Sequence, residues 1–326
     1  MSFREDDERI RNRPLTKWRN RNNVGLINSQ RYDCVNDRPV HIEMTADALL
    51  QAAVSSVPRT QLEPWLNKVH PGDCVQLMNK LPAGSIGCIV TSPPYNLRNS
   101  TGNGLKDGRG GKWESAQLLE GYHTHADDMP YDEYVKWQRQ CLTAMMRVLR
   151  EDGAIFYNHK WRVQAGLLQD RREIIDGFPV RQIIIWQRSG GINFNPGYFL
   201  PTYEVIYLIC KPQFRLAPKA NAQGDVWEIQ QENNNPHPAP FPVELAQRCI
   251  RSTNAGIVLD PMMGSGNTAI AAEAYQRDWI GFEISKDYCK LARERIIARR
   301  EACSGSDRAT DAPAARDKER TIRSAP

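Results

Sequence analysis

The sequence predicts an α/β fold: a doubly wound, mostly parallel sheet with an antiparallel hairpin at its edge. Three observations carry this expectation. Apolar, β-branched runs of strand length alternate with helical segments from Val69 to Arg300, the pattern of a parallel sheet covered on both faces. Two strand-like runs, RQIIIWQ and TYEVIYLICKP, follow one another joined through the loop SGGINFNPGYFLP, which breaks the alternation and indicates one antiparallel edge hairpin. Late in the chain, AGIVLD, a glycine-rich turn, GNTAIAAEAYQ and WIGFEI read as strand, turn, helix and strand.

In chain order, residues 1–68 read as a polar leader followed by short helical pieces. From Arg9 to Arg31 there are basic residues and no acidic ones, interleaved with Trp18 and asparagines. Such a run serves either as a nucleic-acid arm or as a solvated leader. MTADALLQAAV has a candidate helix cap in Thr45. An ordered domain is expected over 69–303. In it GCIVTS is a buried strand, 98–129 a glycine-rich mobile loop, DEYVKWQRQCLTAMMRVLR an amphipathic helix and GAIFYN a strand. The hairpin and a polar stretch from Gln213 to Asn235 come next. FPVELAQRCIRST and DYCKLARERIIARR are helices on either side of the glycine-turn unit, and 304–326 has the composition of a disordered tail.

The 326 residues easily support a sizeable core. No apolar run approaches the roughly 20 residues of a membrane span, and MSFREDDERI lacks the apolar stretch of a secretory signal. No membrane partner is expected, and the expected location is the cytoplasm. Eight cysteines without a CxxC pair fit reduced thiols, and no structural metal is expected. A net charge of +5 permits a polyanionic partner without demanding one.

Two motifs carry chemistry. TSPPYN ends the first buried strand, and Pro93 and Pro94 hold Ser92 and Pro93 out of helical geometry. The result is a preorganised tip offering the Ser92 hydroxyl, backbone carbonyls and the Tyr95 ring. In GIVLDPMMGSGNTAIAAEAYQRDWIGFEIS, glycines let backbone approach a ligand closely, and the acid after the second strand suits ribose hydroxyls. There is neither a GxGxxG nor a GK[ST], so a ligand with adenosine but no phosphates fits better. Taken singly, the first motif also describes a proline-stopped strand, and the second an ordinary crossover unit.

Together, DPMMGSGNT and TSPPYN make the chain resemble the DNA amino-methyltransferases of the circularly permuted β group. The resemblance runs from about Val69 to Arg300 and includes HPGDCVQLMNKLPAGSIGCIV, VLREDGAIFYNH and NPHPAPFPVELAQRCI. It departs where Met262 stands for the usual Phe and Asn267 for the usual Thr, changes expected to preserve cofactor binding. The resemblance implies a Rossmann-like methyltransferase fold, S-adenosylmethionine as cofactor and double-stranded DNA as partner. It also implies a place in a restriction-modification system or as an orphan enzyme. Its cofactor residues would be Asp73, His237, Phe241, Asp260, Met262, Gly264, Ser265, Gly266, Asn267 and Glu283. Asp73 would meet the adenine amine, Glu283 the ribose and Asp260 with the glycine turn the methionine part. Ser92, Pro93, Pro94 and Tyr95 would form the catalytic tip, with Ser92 and the Pro93 carbonyl accepting from the target amine and Tyr95 stacking on the flipped base. Region 187–235 would read the target. Ser at the head of the tip motif points to cytosine N4, with adenine N6 as the alternative. Methylation of structured RNA and a non-catalytic nucleic-acid-binding role are the competing readings. Methylation of a cytosine carbon would require a Pro-Cys nucleophile, and no cysteine follows a proline.

Overall fold

The computed structural model describes residues 30–32, 39–41, 57–96, 127–164, 166–189, 196–232, 235–237 and 240–309. The chain divides into units 1–56 and 57–326. In the first, β1 (Gln30–Tyr32) pairs antiparallel with β2 (Pro39–His41). The Thr45 helix, most of the basic leader and most of the 98–129 loop lie outside the described residues. The second unit starts before the expected boundary at 69, because Leu62 and Leu66 are already buried in its core and Arg59 pairs with Asp278.

This unit runs β3 (Lys68–Pro71), α1 (Cys74–Lys80), β4 (Ile86–Thr91), α2 (Tyr131–Val148), β5 (Leu149–His159), β6 (Arg162–Gln164), β7 (Leu167–Gln169) and α3 (Arg172–Ile175). It continues through β8 (Val180–Gln187), β9 (Tyr203–Cys210), β10 (Val226–Glu228), α4 (Val243–Arg251), β11 (Ile257–Asp260), α5 (Asn267–Ala274), β12 (Asp278–Glu283) and α6 (Lys286–Ala309). The main sheet has the order β10-β8-β9-β5-β4-β11-β12-β3. From β5 to β3 every neighbour is parallel. Strand β9 runs antiparallel to both β5 and β8.

The expected hairpin is therefore present, but it is not the edge. Strand β10 lies outside β8 and pairs parallel with it, Trp227 opposite Trp186. Trp227 is buried, so the polar-looking stretch from Gln213 to Asn235 conceals one anchored strand. Helix α6 likewise continues past the expected end at 303, to Ala309.

The inner strands β4, β9, β11 and β12 and the second half of β5 are buried on both faces, which is why they read as continuous apolar runs. Period two still sorts their side chains. Cys88, Val90, Phe156 and Val258 face one core with Leu245, Ala269 and Ala292 of α4, α5 and α6. Ile89, Ile155, Leu259 and Ile280 face the other, with Met78 of α1 and Met145 of α2. No helix among the described residues is long and apolar enough to cross a membrane.

Gly87, near the start of β4, is required by a close approach. A Cβ there would lie 2.8 Å from the Ala255 Cβ and 3.2 Å from its Cα, and backbone cannot swing aside as a side chain can. Gly87→Ala is expected to destabilise the domain by about 1–3 kcal/mol, the range for overpacking. Urea unfolding measures this; an unchanged midpoint would mean the backbones separate without strain.

Candidate active site

Parallel strand ends gather the site. Strands β4, β11 and β12 end on one edge of the sheet, with Leu259 opposite Ile89 and Asp260 opposite Gly281. Beyond β4, Ser92 and Pro94 are half-buried while Pro93 and Tyr95 are buried. Their conformation is locked from α2 and β5. The Tyr134 hydroxyl donates to the Pro94 carbonyl at 2.9 Å and lies 2.7 Å from His159 Nε2. Asn96, at φ 56°, receives its anchor from Asp127, whose Oδ1 accepts the Asn96 N–H at 2.7 Å.

The Tyr95 ring does not stand open as the sequence suggested. It is 8% exposed, and one face stacks on His159 with centroids 4.8 Å apart. Its hydroxyl donates to Glu204 Oε2 at 3.0 Å, accepts from Asn158 Nδ2 at 2.8 Å and lies 2.6 Å from Ser92 Oγ. Glu204 also meets Arg188 at 3.6 Å. Burial, reinforced by Arg171, pushes the His159 imidazole down to about 3, so it packs against Tyr95 as a neutral ring.

Beyond β11 the chain turns through Gly264 (φ 52°) and Gly266 (φ 88°), a left-handed geometry that favours glycine. Glu283 fastens this turn. Its Oε2 accepts from the Gly264 N–H at 2.9 Å and its Oε1 from the Ser285 N–H at 2.8 Å. Each oxygen retains a further lone pair. Burial raises the Glu283 carboxyl above its ordinary range. Asp260 lies deeper, 1% exposed, accepting from the Met262 N–H at 3.0 Å and the Thr268 hydroxyl at 2.5 Å. Burial pushes it up to about 7.

A cavity of about 280 Å³ opens between the tip and the glycine turn. Asp73, Ser92, Pro94, His237, Met262, Gly264 and Glu283 line it, and Trp137, Pro261, Ile284 and Tyr288 are among the other residues of its wall. A smaller cavity contains Phe241, Ser265 and Asn267 and shares Ser92, His237, Met262 and Gly264 with the first. The structure thus brings most of the expected residues together. Pro93, Tyr95, Asp260 and Gly266 are absent from both linings. Tyr95 and Asp260 instead brace residues that are present, Ser92 and Met262. Asn267 works chiefly as a strut: Nδ2 donates to the Phe241 carbonyl at 2.7 Å and Glu232 Oε2 at 2.6 Å, and Oδ1 accepts from Arg295 at 2.7 Å. Asp73 caps α1 through the Gln76 N–H at 2.9 Å while facing the cavity. Burial, then Arg295, lowers His237 to about 4, and its ring sits 4.6 Å from that of Tyr288.

Sequence reading did not single out Glu204, Asn158 or His159. The available signal was a lone carboxylate in the apolar strand YEVIYLIC, and the polar pair ending GAIFYNH.

The model of the N6/N4 DNA methylase family matches residues 86–294. The type II methyltransferase M.BglII of Bacillus subtilis is 26% identical over 281 residues, spanning 72% of this chain and 70% of its own. TTHA0409 of Thermus thermophilus, complexed with S-adenosyl-L-methionine, superposes with TM-score 0.53 at 24% identity, over 71% of this chain and 93% of its own. The cytosine-N4-specific PvuII DNA methyltransferase superposes with TM-score 0.54 at 18% identity, over 73% and 92%. At these identities the two structures speak for the fold.

The raised Asp260 carboxyl has a measurable consequence. Its folded pKa of about 7 exceeds the ordinary value of 3.8, so the folded state holds a proton that the unfolded state releases between these values. Its contribution is complete below about pH 4 and lost as pH rises through 7. Asp260→Asn should flatten the fall in unfolding free energy between pH 4 and pH 7.5 by about 2–4 kcal/mol. Urea titrations across that window check the slope; parallel wild-type and variant curves would place the proton elsewhere.

Proposed function

This chain belongs to the N6/N4 family of DNA methylases, and we propose that it transfers a methyl group from S-adenosylmethionine to N4 of a cytosine flipped out of double-stranded DNA. The observation that carries this reading is the position of Ser92, which lines the larger cavity together with Glu283 and both cavities together with Gly264.

The residues present fit the donor. Its adenosine has a carboxylate in Glu283 for the ribose hydroxyls and another in Asp73 for the adenine amine. Pro261, Met262, Ile284 and Tyr288 supply apolar walls. Gly264 cannot take a side chain without meeting the His237 ring, since a Cβ would lie 3.1 Å from Nε2, so backbone itself forms that part of the cradle. Bound there, the donor supplies an electrophilic methyl group. His237 and Phe241 flank the methionine side, with Asn267, Ser265 and Gly266 fixing the turn and Asp260 bracing it from below.

An exocyclic amine is a weak nucleophile because its lone pair is delocalised into the ring. The site helps by accepting the amine's hydrogens, which favours a pyramidal nitrogen. Ser92 Oγ is placed for this, with the neighbouring Pro93 carbonyl as the second acceptor. Catalysis is then mostly orientation and electrostatic placement, with no covalent enzyme intermediate. A neutral hydroxyl at the head of the motif, rather than a carboxylate, favours cytosine over adenine. Region 187–235, which includes the loop between β8 and β9, is the proposed target reader.

The test is to incubate the chain with tritiated S-adenosylmethionine and unmethylated duplex DNA, digest to nucleosides and chromatograph, then map the modified site by sequencing. N4-methylcytosine is expected; N6-methyladenine would overturn the choice of base.

Two substitutions separate binding from chemistry. Glu283→Ala should weaken S-adenosylmethionine binding by about 1.5–3 kcal/mol, as for a charge-assisted hydrogen bond, read by calorimetry; unchanged affinity in a folded variant would remove Glu283 from the ribose site. Ser92→Ala should leave that affinity nearly unchanged while raising the barrier by about 2–4 kcal/mol. Single-turnover rates at saturating DNA decide it, and a wild-type rate would reduce the tip to a proline-stopped strand.

A further inference from the structure

The hydrogen bonds behind Ser92 have a direction, and that direction selects the target's chemistry. Tyr95 has one hydroxyl proton, which it donates to Glu204 Oε2 at 3.0 Å. Asn158 Nδ2 donates to the same carboxylate oxygen at 3.1 Å and to the phenol oxygen at 2.8 Å. Since a carboxylate only accepts, both its partners must present hydrogen to it. With the phenol proton committed, the 2.6 Å contact between Ser92 Oγ and the Tyr95 oxygen can be bridged only by the serine proton. Ser92 is therefore a donor towards the interior; apart from a long 3.5 Å contact from Asn158 Nδ2, its acceptor capacity is turned to the cavity it lines.

We propose that Glu204, acting through Tyr95, fixes Ser92 as an acceptor and so makes the site choose an amine over a carbonyl at the position of attack. This rests on the reading that the target base meets Ser92. An amine places a hydrogen against the serine lone pairs; the carbonyl of a deaminated base places a lone pair there and is repelled. A site built around one hydrogen-bond polarity rejects the opposite one strongly, because its own buried groups are left unpaired. Glu204 touches neither base nor donor in this scheme. It is a positioning residue, held by Arg188 Nη1 at 3.6 Å from Oε1.

That ion pair also predicts what a neutral substitute does. In Glu204→Gln the side-chain oxygen stays towards Arg188 and the amide nitrogen takes the place of Oε2. The amide then donates to Tyr95 while Asn158 Nδ2 keeps its own bond to the phenol oxygen, so the phenol proton passes to the Ser92 contact and the serine proton is released towards the cavity. Ser92 becomes a donor, suited to a carbonyl.

The test is binding without any methyl donor. It uses duplexes carrying the mapped site with either cytosine or uracil at the target position, opposite an abasic residue so that no base pair must be broken. Fluorescence anisotropy should show wild type favouring cytosine at least tenfold. Glu204→Gln and Tyr95→Phe, each checked for folding by circular dichroism, should bring the two within about threefold. If both variants keep the wild-type preference while Ser92→Ala loses it, the relay is overturned and Ser92 still meets the base. If wild type shows no preference, or Ser92→Ala preserves it, both this inference and the placement of the base at Ser92 fall together.

Discussion

The site depends on one constraint, the parallel registration of β4, β11 and β12. Leu259 lies opposite Ile89, and Asp260 opposite Gly281. This pairing brings the end of an early strand beside the ends of two late ones, so Ser92 and Glu283 border one cavity. In open α/β sheets ligands sit beyond the carboxyl ends of the strands, where the chain can turn away and leave a crevice. Packing beside the crevice is close: Gly281 lies against the Met263 side chain, which leaves no room for a Cβ.

Carboxylates do different work at these strand ends. Glu283 is tethered by two backbone N–H groups and still faces the cavity. Asp260 is buried under the turn and holds it by accepting from Thr268 and Met262. Glu204 stands behind the tip and sets the polarity of a hydroxyl it does not touch. Conserving geometry therefore falls to groups away from the ligand. Asn267 illustrates the point: its amide joins Phe241, Glu232 and Arg295, three connections that a threonine hydroxyl, with one proton, could not make in the same way.

The local parts of this arrangement were legible in the sequence. The prolines of TSPPYN stop a strand, the glycines of DPMMGSGNT turn one, and an acid follows WIGF; each is a chemical signal within a few residues. What escaped notice depends on pairing across the sheet. Asn158 and Glu204 meet because β5 and β9 run antiparallel, with Asn158 opposite Ile206 and His159 opposite Val205. No local pattern announces that register. Strand β10 was hidden for a similar reason, since three residues gain their strand character only by lying against β8. The Tyr95 ring was read as open because its partner on one face, His159, arrives from another strand.

The split of the site between distant segments also bears on how the chain is made. Strand β4 is central in the finished sheet and buried along its whole length, yet one of its two neighbours, β11, is synthesised only after β5, β8 and β9. At about 5–20 residues per second, translation leaves that edge of β4 without its partner for roughly ten to thirty seconds. An unpaired edge flanked by Ile, Cys and Val is a template for the wrong strand. The order of the strands along the chain thus leaves β4 open to mispairing until β11 has been made.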